Sequence, residues 1–133
     1  MSGEENLDVL LRTLTTKLVD GVFVFATVAE GAMPHGATPL MTFREAEGTT
    51  LILSKPEAEA VGLAYEFPCR MITLAAHSSL NAVGFIARIA SELAAHDMGV
   101  NPVSGFYHDH LFVPDGREGE AMEILGQIAD SIA

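Results

Sequence analysis

The sequence predicts an α+β fold of the ferredoxin-like (split βαβ) type, an antiparallel sheet with helices on one face. Three observations lead there. Short β-branched and aromatic runs alternate with stretches whose apolar residues recur at helical spacing. One order of elements (strand, tight turn, strand, cap, helix) occurs twice along the chain. The 133 residues, 49 % hydrophobic and 19 % charged, are enough for one compact unit or two very small ones.

The first element is a helix. Leu7, Leu10, Leu11, Leu14 and Leu18 fall on one helical face, with Asn6 as N-cap and Gly21 beyond the end. Val22 to Val28 then reads as a strand, buried on both faces or covered on one by a partner. Ala29 to Pro39 holds Gly31, Pro34, Gly36 and Pro39 and is a loop. Leu40 to Ala46 and Thr50 to Ser54 are two strands turning at Glu47-Gly48-Thr49. Ser54-Lys55-Pro56-Glu57 has the form of a capping box with proline in the first turn, opening a short helix that stops at Gly62.

Phe67-Pro68 punctuates the chain before a strand over Arg70 to Ala76. Ser78-Ser79 opens a helix with Leu80, Val83, Ile86, Ile89, Ala90, Leu93 and Ala94 on its apolar face, ending at Gly99 as a left-handed cap. Val100 to Tyr107 and Leu111 to Pro114 are strands around a turn at His108-Asp109-His110. The last helix starts at Asp115, with Glu118 completing a capping-box pattern and Ala121, Leu125, Ile128 and Ile132 forming its buried stripe.

The repeat joins Phe43 to Glu57 and Phe106 to Glu118, two segments with one grammar and little identity. It divides the chain into residues 1–66, an N-terminal helix plus β-loop-β-β-α, and residues 67–133, β-α-β-β-α. Seven Lys and Arg against eighteen Asp and Glu leave a formal charge of −11, which disfavours nucleic acid and anionic membrane as partners. Mean hydropathy is high at +0.30, yet the longest uncharged stretch, Met71 to Ala87, contains His77, Ser78, Ser79 and Asn81 and falls short of a membrane span. The acidic start lacks the basic region of a signal peptide, and one cysteine, Cys69, allows no internal disulfide; both fit a cytoplasmic setting. The surplus of apolar residues points to a buried interface.

Several of these phrases have a familiar form. His77 to Ile89, with its loop, Gly84 and aliphatic run, resembles the first loop and helix of an ACT domain, and Gly99-Val100-Asn101 resembles the entry to that domain's second strand. Together with Phe43 to Leu53, Tyr65 to Leu74 and Ser104 to Pro114, they resemble a small bacterial family of stand-alone tandem ACT-like proteins, over about Leu7 to Ile132. The resemblance implies a regulatory module without catalysis or cofactor that binds a small molecule, an amino acid, at an interface between two copies. It implies a homodimer and a ligand loop of Ser78, Ser79, Leu80, Asn81, Ala82, Val83 and Gly84. Two departures stand out: the Gly/Pro loop replaces the first helix of the first copy, and the second copy ends without a closing strand. A strand exchanged between the halves, such as Val22 to Val28, or one from a second chain would complete the sheet.

On physical grounds alone, the helix start at Ser78-Ser79 offers free N–H groups and the positive end of a helix dipole to an anion. An ordinary serine N-cap explains the same residues. Gly84 inside the helix costs about 1 kcal/mol relative to alanine, which points to close approach by a ligand or by backbone. His108 and His110 alternate along a strand and would share a face to hold a metal, but no further ligand stands at matching spacing, and polar residues are routine in a turn. Arg44, Glu45 and Glu47 read as a solvated edge, His35 and His96 as surface, and Cys69 as a buried or edge thiol without a catalytic partner. No phosphate-loop, dinucleotide or nucleophile-elbow motif occurs. Three functions remain: an amino-acid-binding regulator, a metal-dependent enzyme using His108 and His110, and a dimerisation domain with no ligand.

Overall fold

A computed structural model describes residues 5–75 and 80–132. In chain order the elements are α1 (Leu7–Arg12), β1 (Thr16–Leu18), β2 (Phe23–Val28), β3 (Met41–Glu45), β4 (Gly48–Ser54), α2 (Lys55–Ala60), β5 (Glu66–Leu74), α3 (Phe85–Ala95), β6 (Asn101–Ser104), β7 (Asp109–Pro114) and α4 (Glu118–Ser131). They form two compact units: Gly21 to Cys69, and the chain up to Asp20 together with Arg70 onward. The boundary falls inside β5.

The unit from Gly21 to Cys69 is built on a hairpin. β3 pairs antiparallel with β4 through Met41↔Ile52 to Glu45↔Gly48, which leaves Ala46-Glu47 as a two-residue turn. Only glycine fits at the turn's exit: a Cβ on Gly48 would lie 2.8 Å from the Val28 carbonyl oxygen. β4 pairs with β2 from Phe23↔Ser54 to Val28↔Thr49, and β2 meets the start of β5 at Phe23↔Cys69 and Phe25↔Glu66. The register shifts between those two pairs because Phe67 takes a φ of +55° ahead of Pro68. A β-bulge is where a proline is tolerated within a ladder. The strand therefore begins at Glu66, and Phe67-Pro68 is a kink in it rather than its boundary. α2 starts as expected, with Ser54 Oγ accepting from the Glu57 N–H at 3.2 Å. Its Ala58 packs on Val24, Ala26, Leu51 and Leu53, one face of the sheet.

The other unit has the larger core. β1 pairs antiparallel with β5 through Thr16↔Leu74 to Leu18↔Ile72, β5 neighbours β7, and β7 pairs with β6 from Asn101↔Phe112 to Ser104↔Asp109. Ile72, Leu74, Leu111 and Val113 lie beneath Leu10 and Leu11 of α1, Phe85, Ile89 and Leu93 of α3, and Ala121, Leu125 and Ile128 of α4. Burying a Leu, Ile or Phe side chain contributes about 1.5–3 kcal/mol. The helices thus stack on one face, as the alternating patterns predict.

Four helix boundaries differ from the sequence reading. The first helix is capped by Asn6 as expected, its side chain accepting from the Val9 N–H at 3.0 Å, but it stops at Arg12. Thr13 turns its hydroxyl back to the Val9 carbonyl (2.6 Å), and the β-branched run Thr15-Thr16 leads into β1. Leu14 and Leu18 kept the helical spacing by coincidence. α3 begins at Phe85, not at Ser78-Ser79, so Leu80 and Val83 precede it and are 69 % and 82 % exposed. It ends with Asp97, not Gly99, in the left-handed region (φ +56°), and the Met98 N–H returns to Leu93 O at 3.1 Å. α4 begins at Glu118 without a side-chain cap, because Glu118 Oε1 instead accepts from the Gly116 N–H at 2.7 Å. The strand completing the second half is β1; Val22 to Val28, offered as the exchanged strand, pairs within the unit of Gly21 to Cys69.

Candidate functional site

A helix entered through a glycine, without a side-chain cap, leaves its first N–H groups unpaired. α3 is such a helix: Gly84 stands at its N-cap with φ +90°, no side chain caps it, and its first turn carries no acidic residue. The first intrahelical bond runs from the Arg88 N–H to Gly84 O at 2.9 Å, so the N–H groups of Phe85, Ile86 and Ala87 precede that ladder. A Cβ on Gly84 would meet Leu7 Cδ2 at 3.4 Å, and its backbone angle excludes most other residues. Gly84 is therefore set by its backbone conformation, since 3.4 Å is ordinary van der Waals contact.

The residues of this helix start border a hollow of about 220 Å³. The loop and α3 contribute Leu80, Ala82, Gly84, Phe85, Ile86 and Ala87; the β6–β7 hairpin contributes Ser104, Gly105 and Asp109. Asp109 is 6 % exposed and is the one buried charged residue among those described. Strand alternation explains its position. Asp109, Leu111 and Val113 share the face of β7 that lies under the helices, and Asp109 is that row's end.

Of the predicted ligand loop, Leu80, Ala82 and Gly84 line this hollow, Asn81 and Val83 are exposed, and Ser78 and Ser79 lie outside the described residues. The helix start thought to lie at Ser78-Ser79 is supplied by Gly84 to Ala87. Asp109 was legible as one of three polar residues in a turn, whereas the strand begins at Asp109 itself; counting back by two from Val113 and Leu111 would have found it.

His108 sits in the turn and His110 in β7. His110 Nδ1 is hydrogen-bonded to Thr73 Oγ1 at 3.0 Å. Burial, and then the neighbouring His108, hold the His110 pKa below the usual histidine range against the opposing effect of Asp109. Among the described residues no three His, Cys, Asp or Glu side chains gather to hold a metal ion, so the expected pair has no third ligand there. His35 is exposed, and His96 Nδ1 bonds to Glu92 O at 3.0 Å at the end of α3. Cys69 is buried with its thiol donating to Phe23 O at 3.3 Å. Arg44, Glu45 and Glu47 are exposed and, with Glu30, border a wider hollow of about 430 Å³ at the β3–β4 turn. Among the described residues, no helix is long and apolar enough to cross a membrane.

The Arg70 guanidinium meets Glu118 at 2.9 Å and fastens β5 to the start of α4. Glu118 is held below the usual carboxylate range first by its own backbone N–H; burial opposes this, and the Gly116 N–H and Arg70 add smaller lowering effects.

Comparison with known proteins places this geometry. A family model described as an ACT domain matches residues 2–70, and a second ACT-domain model matches residues 66–127, the two overlapping within β5. A protein of unknown function from Vibrio cholerae is similar at 38 % identity, over 92 % of this chain and 95 % of that one, with a TM-score of 0.79. An Agrobacterium tumefaciens protein shares the fold at 16 % identity, 87 % and 89 % coverage and a TM-score of 0.73. The regulatory subunit of aspartate kinase from Thermus flavus shares it at 7 % identity, 86 % and 95 % coverage and a TM-score of 0.59. No curated protein matches.

Proposed function

The chain belongs to the ACT-domain family, and from that premise we propose that it is a regulatory module without catalysis, binding an amino acid in the hollow before α3. ACT domains are regulatory, non-catalytic modules, and one protein sharing this fold is the regulatory subunit of an aspartate kinase. The observation that carries the reading is the uncapped start of α3, whose residues Gly84 to Ala87 line the hollow; N–H groups at such a helix start suit a carboxylate. The donors are the backbone groups of Phe85, Ile86 and Ala87, with Gly84 giving access; Leu80 and Ala82 form the apolar wall.

The reading extends to a homodimer in the cytoplasm. Leu80, Val83, Phe106 and Tyr107 are exposed large hydrophobics beside the lining residues in sequence, and the last two rings stack edge-on at 5.0 Å. A second copy covering them would close the hollow, so that ligand binding selects one arrangement of the pair. The buried free thiol of Cys69 suits a reducing compartment.

The test is thermal unfolding in the presence of each free L-amino acid at millimolar concentration. One or a few should raise the midpoint; a ligand at about 100 times its Kd adds about 2.7 kcal/mol. If none does, the amino-acid reading fails. Sedimentation with and without the active amino acid separates a ligand-responsive dimer from a constant one, which would favour a dimerisation domain without a ligand.

A further inference from the structure

We draw no further inference here: the strongest candidate, the β3 edge of the sheet with its exposed Phe43, carries nothing because nothing in the structure shows what covers it.

Discussion

The two units answer the same design problem differently. In each, a strand leaves the sheet, a hairpin follows, and a hollow lies at the hairpin's turn. In the unit that includes Arg70 onward, the strand leads to an eleven-residue helix whose first residues border the hollow. In the unit from Gly21 to Cys69, a Gly/Pro segment runs in its place and is tied down at Thr38, whose N–H and hydroxyl donate to Glu57 Oε2 at 2.9 and 2.8 Å. The hollow there is bordered by Glu30, Glu45 and Glu47 with Arg44, and Glu45 is drawn into a hydrogen bond with Thr50. One hollow is bordered by a helix start, the other by carboxylates. The lesson is that a shared strand order does not fix the chemistry at its turns; the segment after the first strand changes it.

The comparison breaks most visibly in the helical core. Ile89→Ala or Leu93→Ala, both fully buried between α3 and its sheet, should cost about 2–5 kcal/mol by urea unfolding. The exposed Leu40→Ala in the other unit should cost less than about 0.5 kcal/mol. Gly84→Ala comes next. It forces an alanine to φ +90° against Leu7 and should cost about 1–3 kcal/mol, with the loss recorded in the same unfolding experiment.

The two repeats can be separated by their caps. Ser54→Ala should cost about 1 kcal/mol because its hydroxyl accepts from Glu57, whereas Asp115→Ala should change the midpoint by less than about 0.5 kcal/mol because α4 takes no side-chain cap from it. Equal effects would show that the repeat extends to its capping chemistry.

The smallest effect is a pH dependence confined to the unit that includes Arg70 onward. His110 binds its proton at lower pH folded than unfolded. Below about pH 6.5 the unfolded chain therefore holds more protons, and stability falls as pH drops through the window between the two pKa values. His110→Gln should flatten that slope in thermal unfolding scans, leaving the acid limb to groups such as Glu118, whose contribution is present above the usual carboxylate pKa and lost at still lower pH.

Which parts of this were readable in advance follows from the range of the interactions. Asn6 and Ser54 satisfy N–H groups three residues away, so their caps were legible. Asp115 offered the same local pattern and failed, because Glu118 reached Gly116 and Arg70 instead. Leu14 and Leu18 matched a helix in spacing, yet the threonines between them turn the chain into a strand that pairs with β5. Leu80, Ala82 and Gly84, named through the resemblance of their loop, line the hollow, while Asp109 was hidden inside a polar triplet whose strand boundary lay two residues from where the pattern put it.

Alone, the sequence determined the strand and helix types, the repeated order and the family, because hydrophobic periodicity, caps and turn residues act over a few positions. Tertiary structure decided the rest. It recruited β1 to pair with β5, started α3 just after Gly84, and brought Asp109 into the same hollow as that helix start. Those outcomes depend on which strand pairs with which, and pairing between Thr16 and Leu74 is a competition among distant segments that no local pattern records.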